Sequence, residues 1–171
     1  MIKLLGYLLI IGACTIGGFI FSESYKNRVN ELNEMLRAIY QLYNEIEYTF
    51  TPLPEAFYNV ALKSKAPVNT IFKEISDSLS LNQVDNVHEA FKRSFENRKN
   101  LNMNLEDMNI ILDLSKGLGE SDIAGQNKLI NLTIEDLKKQ IKKAEILMAK
   151  NMRMYRYLGF SLGAVVVIIL I

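Results

Sequence analysis

The stretch VNELNEMLRAIYQLYNEIEYTF, residues 29–50, decides the fold, because its apolar side chains recur at alternating steps of three and four. Such steps place apolar residues on one face of an α-helix and form the heptad seam typical of paired helices. We therefore predict a long first helix over residues 23–50 that buries this seam against another helix. The seam residues are Val29, Leu32, Leu36, Ile39, Tyr43, Ile46 and Phe50.

A second seam of the same kind lies towards the other end of the chain. Its members are Ile130, Ile134, Leu137, Ile141, Ala144 and Met148. Ser121 and Asp122 precede it, and a serine followed by an acid is typical of a helix start. We predict that the last helix runs from residue 121 to the C-terminus. The first and last helices are then expected to pair antiparallel and form a stalk.

The region between the two seams predicts four shorter helices. Breaks are indicated by Pro52, by Pro67 and by the Gly117-Leu118-Gly119 stretch, because proline suits a helix start and glycine a helix end. The expected helices cover residues 54–65, 68–79, 82–99 and 104–116. Strand-like alternation is nowhere sustained, so the sequence predicts an all-α, six-helix bundle.

Both chain ends are apolar enough to enter a membrane. Residues 4–21 carry no charge and would extend roughly 27 Å as a helix, against a hydrocarbon core of about 30 Å. Residues 157–171 are also uncharged and would extend roughly 22 Å. We predict transmembrane helices over residues 1–21 and 157–171. Most of the lysine and arginine residues near these spans lie in the segment between the two spans. Because such residues are retained on the cytoplasmic side, we predict that residues 22–156 form a cytoplasmic domain.

Two alternatives concern the membrane segments. Ile11-Gly12-Ala13-Cys14 resembles a lipoprotein cleavage motif, which would make the helical domain extracytoplasmic, although the apolar run continues for seven residues beyond Cys14. Small residues one helical turn apart can also pack spans closely together. The chain would then be a structural membrane oligomer. The candidate packing residues are Ala13, Gly17, Gly159 and Gly163.

Charge is nearly balanced overall but strongly segregated along the chain. The formal net charge of +1 does not favour nucleic-acid binding. Residues 138–156 hold seven bases and one acid, which suits anionic lipid headgroups. Residues 106–122 hold five acids and one base, which suits a partner with a basic face. The five acids are Glu106, Asp107, Asp113, Glu120 and Asp122.

The sequence does not favour catalysis or a bound cofactor. It contains no phosphate-binding glycine loop of the Gly-x-x-x-x-Gly-Lys type. Its single cysteine and single histidine exclude a Cys/His-rich metal site. His88 is expected to be a solvated helix residue. We therefore predict that the chain is not an enzyme and needs no cofactor or metal.

Three motifs carry a resemblance to a known family. They are TPLPEAF at 51–57, LGESDIAGQ at 118–126 and KNMRMYRYLGFSLGAVVVIILI at 150–171. Together with the short N-terminal span, they make the chain resemble the stage III sporulation protein AB family of endospore-forming bacteria. The resemblance implies a protein of the mother-cell membrane around the forespore, within the channel complex that joins the two cells after engulfment. It also implies a helical domain similar to that of type II secretion F proteins.

The same resemblance implies partners. They would be an ATPase, stage III sporulation protein AA, and the other stage III sporulation A membrane proteins. The candidate docking residues are Thr51, Pro52, Leu53 and Glu55 at one turn, and Gly119, Glu120, Ser121, Asp122 and Gln126 at the other. Each has a structural alternative, since Thr51 and Ser121 can cap helices, Gly119 can end one and Leu53 can pack.

Overall fold

The structure, a computed structural model, describes the backbone of residues 2–98, 101–119 and 123–170. Side chains are described for residues 23–98, 101–119, 125–152, 154 and 161. The described chain contains six helices and no strand, which confirms the predicted all-α, six-helix class. The helices are α1 (Ile2–Glu47), α2 (Leu53–Lys63), α3 (Val68–Ser80), α4 (Val87–Glu96), α5 (Leu105–Gly117) and α6 (Ile123–Leu170).

The chain divides into two compact units. One comprises Asn30–Ile141 and contains α2 to α5 with the adjoining parts of α1 and α6. The other comprises Met1–Val29 and Lys142–Ile171. Within the described part of the chain, no helix combines the length and the apolar character needed to cross a bilayer. The predicted spans, residues 1–21 and 157–171, fall on helical backbone over residues 2–21 and 157–170. Apart from Ser161, the side chains of these segments lie outside the described ones. Their insertion in a membrane stays a prediction.

The buried face of α1 differs in register from the predicted seam. Met35 and Leu42 are fully buried, whereas Leu36 and Tyr43 are only half-buried. A straight α-helix has 3.6 residues per turn, so its buried face drifts away from a strict 3.5-residue repeat. The assignment of Phe50 to the seam was wrong, because α1 ends at Glu47 and Phe50 is exposed. The remaining core residues of this face are Val29, Leu32, Ala38, Ile39 and Ile46.

Helices α1 and α6 contact each other within the Asn30–Ile141 unit. Lys138 Nζ lies 5.6 Å from the centre of the Tyr40 ring, and Asn127 donates a hydrogen bond to the Glu47 carboxylate. The later residue on α1 meets the earlier one on α6, so the two helices run antiparallel here, as predicted. The second seam is buried through Ile130, Ile134, Leu137, Ile141 and Ala144, while Met148 is half-buried.

Three phenylalanines form the centre of the bundle between α2, α3 and α4. The ring centres of Phe57, Phe72 and Phe91 are 5.8 to 5.9 Å apart, and all three side chains are fully buried. Burying one such side chain contributes roughly 1.5–3 kcal/mol. Hydrogen bonds reinforce the helix order, since Ser76 Oγ donates to the Pro54 carbonyl at 2.7 Å. Consecutive helices pack on one another from α2 to α5.

Helix α4 is shorter than predicted at both ends. It begins at Val87 because Asn86 is extended and its side chain accepts a hydrogen bond from the Glu89 amide at 2.9 Å. Asparagine is among the residues preferred in this capping position. Residues 82–86 therefore belong to the connection from α3, and the helix ends at Glu96 rather than at residue 99.

His88 is not the solvated residue that the sequence suggested. Its Nδ1 lies 3.0 Å from Ser115 Oγ and 3.2 Å from the Leu112 carbonyl oxygen, so the side chain joins α4 to α5. The error has a simple cause: a lone polar residue on a helix gives no signal of the neighbour it will meet.

Candidate functional site

The first predicted docking turn follows directly after α1. Proline disfavours helical backbone in the residue before it, so Pro52 forces Thr51 out of the helix. The chain turns at Phe50, which has a φ of 51°, a left-handed value that non-glycine residues rarely adopt. Tyr48 and Phe50 are each 71% exposed. The turn thus presents two large aromatic side chains to solvent.

A single carboxylate, that of Glu45, holds this turn in place. Thr51 Oγ1 and Asn59 Nδ2 each donate to Glu45 Oε2 at 3.1 Å. Lys63 Nζ lies 3.2 Å from Glu45 Oε1, and the Thr51 amide donates to the Glu45 carbonyl at 3.0 Å. Burial raises the pKa of Glu45, but the hydrogen bonds from Asn59, Lys63 and Thr51 outweigh it, so the pKa lies below its ordinary value.

This network changes the role assigned to Thr51. The residue that precedes α2 is Pro52, which makes no side-chain cap, and Thr51 bonds to Glu45 instead. The suggestion that Thr51 caps the helix was therefore wrong. The hydroxyl stabilises the turn itself, and it leaves the exposed face of the turn to Tyr48, Phe50 and Pro52.

The second predicted turn follows α5 and meets the first. Helix α5 ends at Gly117, and Gly119 has a φ of +86°, which glycine adopts without steric cost. A Cβ atom at position 119 would lie only 3.1 Å from Leu53 Cδ1. The side chain of Leu53 therefore packs against the backbone of Gly119. The structure brings together the two turns that the sequence singled out. We call residues 48–53 with residues 117–119 the two-turn surface.

The contact between α1 and α6 also anchors this region. Glu47 is the last residue of α1, immediately before the first turn, and it accepts a hydrogen bond from Asn127 in the second turn of α6. Gln126, a predicted docking residue, is half-buried beside Asn127. The end of α1, which precedes the first turn, is thus hydrogen-bonded to α6, the helix that follows the second turn in sequence.

The other predicted docking residues have different placements. Glu55 is exposed in the first turn of α2, on the same face as Tyr58 and Leu62. Glu120, Ser121 and Asp122 lie outside the described residues. The predicted packing residues Ala13, Gly17, Gly159 and Gly163 belong to the helical backbone of α1 and α6, where the structure describes no contacts for them. Their role in membrane packing stays a prediction.

The acidic region is less charged at its surface than predicted. Asp107 is fully buried, because its carboxylate accepts a hydrogen bond from the Asn104 amide at 2.9 Å. Asn104 accepts one in return from the Asp107 amide, which completes a capping box at the start of α5. Asp113 is exposed but paired with Lys116 at 2.8 Å. The assignment of Asp107 to an acidic surface was wrong.

Sequence reasoning missed the two exposed aromatic residues of this surface. Phe50 was counted as a buried seam residue, and Tyr48 was not singled out. Pro52 was only a partial signal, because it indicates that the helix ends at or before Thr51 but not how far before. Tyr48 and Phe50 lie beyond the end of α1, so they do not continue its buried face.

Comparison with known proteins identifies the family. A family model described as stage III sporulation protein AB matches residues 3–171 of the chain. The chain belongs to the stage III sporulation protein AB family. A relative from Bacillus subtilis (strain 168), stage III sporulation protein AB, is 30% identical over 171 residues, which cover 99% of each chain. A solved structure of a stage III sporulation protein AB is 26% identical, with a TM-score of 0.66 over 72% of this chain and 97% of that one.

Membership confirms the resemblance drawn from the three sequence motifs and places the chain among structural sporulation proteins rather than known enzymes. Among the side chains that the structure describes, no group of three His, Cys, Asp or Glu residues could hold a metal ion. The two-turn surface offers a contact surface, because it presents exposed aromatic rings on a turn fixed by partly buried hydrogen bonds.

Proposed function

We propose that the chain is a membrane-anchored platform component of the channel complex between mother cell and forespore. Its two-turn surface would dock the ATPase, stage III sporulation protein AA. The observation that carries the proposal is the packing of Leu53 on Gly119, which joins the second turn to the turn that carries the exposed Tyr48 and Phe50. Family membership supports the sporulation role.

The chemistry of this surface suits a protein partner. Aromatic residues dominate the binding energy of protein interfaces, because they bury a large area with few rotatable bonds. Phe50 adopts left-handed backbone at a cost of roughly 1–2 kcal/mol. Strain of this kind at an exposed aromatic residue is a reasonable mark of function.

Charge adds to the aromatic contacts. Glu120 and Asp122 are acids that lie one and three residues after Gly119 in the sequence. Acidic residues in a docking region favour a partner with a basic face and speed its association. A docking site of this composition would bind more weakly as salt rises, since exposed charges are screened.

The apolar chain ends provide the proposed attachment. Residues 4–21 and 157–171 would anchor the protein in the mother-cell membrane around the forespore, with the Asn30–Ile141 unit in the cytoplasm. The cluster of seven bases over residues 138–156 supports this orientation, because bases are retained on the cytoplasmic side. The other stage III sporulation A membrane proteins would be its neighbours there.

Binding of the full-length chain to the ATPase tests the docking surface. The chain is held in detergent micelles, and its affinity for the purified ATPase is measured with Tyr48→Ser, Phe50→Ser and Phe50→Gly variants. Each should weaken binding about ten-fold, the effect typical of an interface anchor. Phe50→Gly is the sharpest variant, because glycine relieves the backbone strain and the fold should become no less stable.

The matched control is Leu81→Ser, which removes a side chain of similar exposure, 66%, elsewhere on the same unit. It should leave the affinity unchanged. A Glu120→Lys, Asp122→Lys double variant should also weaken binding, most clearly at low salt. Normal affinity in Phe50→Gly would show that this surface does not dock the ATPase.

The proposed orientation in the membrane needs a separate test. Cleavage of residues 30–141 by protease added to intact cells would exclude the cytoplasmic placement.

A further inference from the structure

The Asn30–Ile141 unit carries an apolar groove between α4 and α5, whose lining residues are separate from those of the two-turn surface. It encloses about 400 Å³. Its α4 wall is formed by His88, Lys92, Phe95 and Glu96, and its α5 wall mainly by Leu105, Met108 and Leu112. Leu105 is 78% exposed at the rim. An open apolar groove of this kind fits the apolar face of a helix.

The direction of the groove follows from the contact of His88 with Leu112. Because these two residues meet, α5 runs back along α4, and Leu105 lies towards the opposite end of the groove. Lys92 follows His88 by about one helical turn, so the cation of the wall stands nearer the Leu112 end than Glu96 does. A helix that presents a carboxylate to Lys92 and an apolar side chain to Leu105 would therefore match the groove.

Helix α2 of the same chain carries a stripe with this pattern. Glu55, Tyr58 and Leu62 follow one another at steps of three and four, so they share one face of the helix. All three are exposed, Leu62 to 68%. The stripe begins with the carboxylate and ends with the aliphatic side chain. Glu55 and Leu62 are seven positions apart, as Leu105 and Leu112 are, which is roughly 10.5 Å of helix in each case.

We propose that the groove between α4 and α5 binds helix α2 of a second copy of this chain. Leu62 of one copy contacts Leu105 of the next, Tyr58 lies over Met108, and Glu55 pairs with Lys92. The groove and the stripe share no residue, so every copy offers both surfaces at once. Contacts of this head-to-tail kind build open arrays, or rings where the rotation between copies closes.

The interface is small, and its size determines how it should be tested. Two turns of helix in a groove bury less than the roughly 1,200 Å² typical of stable complexes, so the contact is weak between freely diffusing copies. Copies held close together raise the effective concentration and make a weak contact significant. Covalent trapping of the full-length chain in cells is therefore preferable to measurement of its mass in dilute solution.

Cysteine cross-linking provides the test. In a Cys14→Ser background, the chain carrying both Leu62→Cys and Leu105→Cys should give cross-linked multimers under mild oxidation. Either cysteine alone should give monomers. The matched control replaces Leu62→Cys by Leu81→Cys, at a residue of similar exposure outside both surfaces. The control pair should cross-link at least about ten-fold less, since it lacks a docked geometry that brings the sulfurs within bonding reach.

Charge exchange tests the orientation. Glu55→Lys in the two-cysteine chain should reduce cross-linking about five-fold, the upper range for an exposed ion pair, and a further Lys92→Glu change should restore it. Dimers from Leu105→Cys alone would mean that two grooves meet symmetrically and would overturn the proposal. Equal cross-linking of the test and control pairs would also overturn it, because the groove would then hold another partner or none. Phe50→Gly should leave cross-linking unchanged, which separates this result from the ATPase proposal.

Discussion

Glu31 and Asn102 are joined by two hydrogen bonds across the bundle. The Asn102 amide donates to Glu31 Oε2 at 2.8 Å, and Asn102 Nδ2 donates to Oε1 at 2.6 Å. The Met103 amide adds a third bond to Oε2 at 3.2 Å. Glu31 is only 7% exposed. One nearly buried carboxylate on α1 therefore fixes the chain that leads from α4 into α5.

Replacement of this carboxylate should destabilise the protein markedly. We expect Glu31→Ala to lower the free energy of unfolding by about 2–3 kcal/mol, because two backbone amides would lose their acceptor. Chemical denaturation of the full-length chain, followed by circular dichroism, measures the change. Hydrogen exchange at the Asn102 and Met103 amides should accelerate in the variant.

The control for this prediction is Glu135→Ala, which removes an exposed carboxylate on α6. Its effect should stay within about 0.5 kcal/mol. If Glu31→Ala is as mild as this control, the three hydrogen bonds do not secure the connection between α4 and α5.

A side chain at position 119 should lower the stability of the protein. Alanine at this position would have to adopt the left-handed φ of +86° and place its Cβ 3.1 Å from Leu53 Cδ1. We expect Gly119→Ala to cost about 1–2 kcal/mol of stability. The comparison variant is Gly117→Ala, at the last residue of α5, where helical backbone accepts alanine and stability should hold or rise. Equal stabilities of the two variants would refute the packing argument for the two-turn surface.

The elements that the sequence could predict are those set by local periodicity and by strong breakers. The six helices, the burial of Ile130 and Leu137, and the helix stop at Gly117 all follow from such patterns. The packing of Leu53 on Gly119 does not, because it joins residues far apart in the chain. The burial of Asp107 could be predicted only in part. Asn104, three residues earlier, is typical of a helix cap that an acid can complete, but a count of charges along the chain assigns Asp107 to the surface.

Stability should depend on pH through Glu45. Burial raises the pKa of this carboxyl, but the hydrogen bonds from Asn59, Lys63 and Thr51 lower the pKa by more. The pKa of Glu45 therefore lies below the ordinary 4.5. A pKa that is lower in the folded state stabilises the fold above pH 4.5, and the contribution disappears as pH falls through the folded value. Glu34 shifts in the same direction, so the total profile contains more than one group.

A Glu45→Gln variant isolates the contribution of this residue. At neutral pH the variant should be less stable than the parent chain by about 1 kcal/mol, because its neutral amide loses the charge-assisted bond to Lys63. The difference should shrink on acidification and vanish once Glu45 is protonated in the parent. Denaturation midpoints across the acidic range measure it. A difference that persists or grows at about pH 3 would contradict the assignment.

His88 and Ser115 should act as a coupled pair in holding α4 against α5. Ser115 Oγ donates its single proton to the Leu112 carbonyl at 2.7 Å, so it can only accept from His88. Nδ1 of His88 therefore carries a proton, which it directs at Ser115 and Leu112. We expect His88→Ala to lower the free energy of unfolding by about 1 kcal/mol. His88→Asn should recover part of this loss, because the asparagine amide can donate from nearly the same position.

A double-mutant cycle distinguishes this pairing from simple packing. His88→Ala, Ser115→Ala and the double variant are compared by chemical denaturation of the full-length chain. Because Ser115 is buried and bonded to His88, the two changes should be non-additive by about 0.5–1 kcal/mol. Strict additivity would mean that the imidazole only fills space between the helices. In that case His88→Leu would stabilise the contact as well as histidine does, which the same measurement would show.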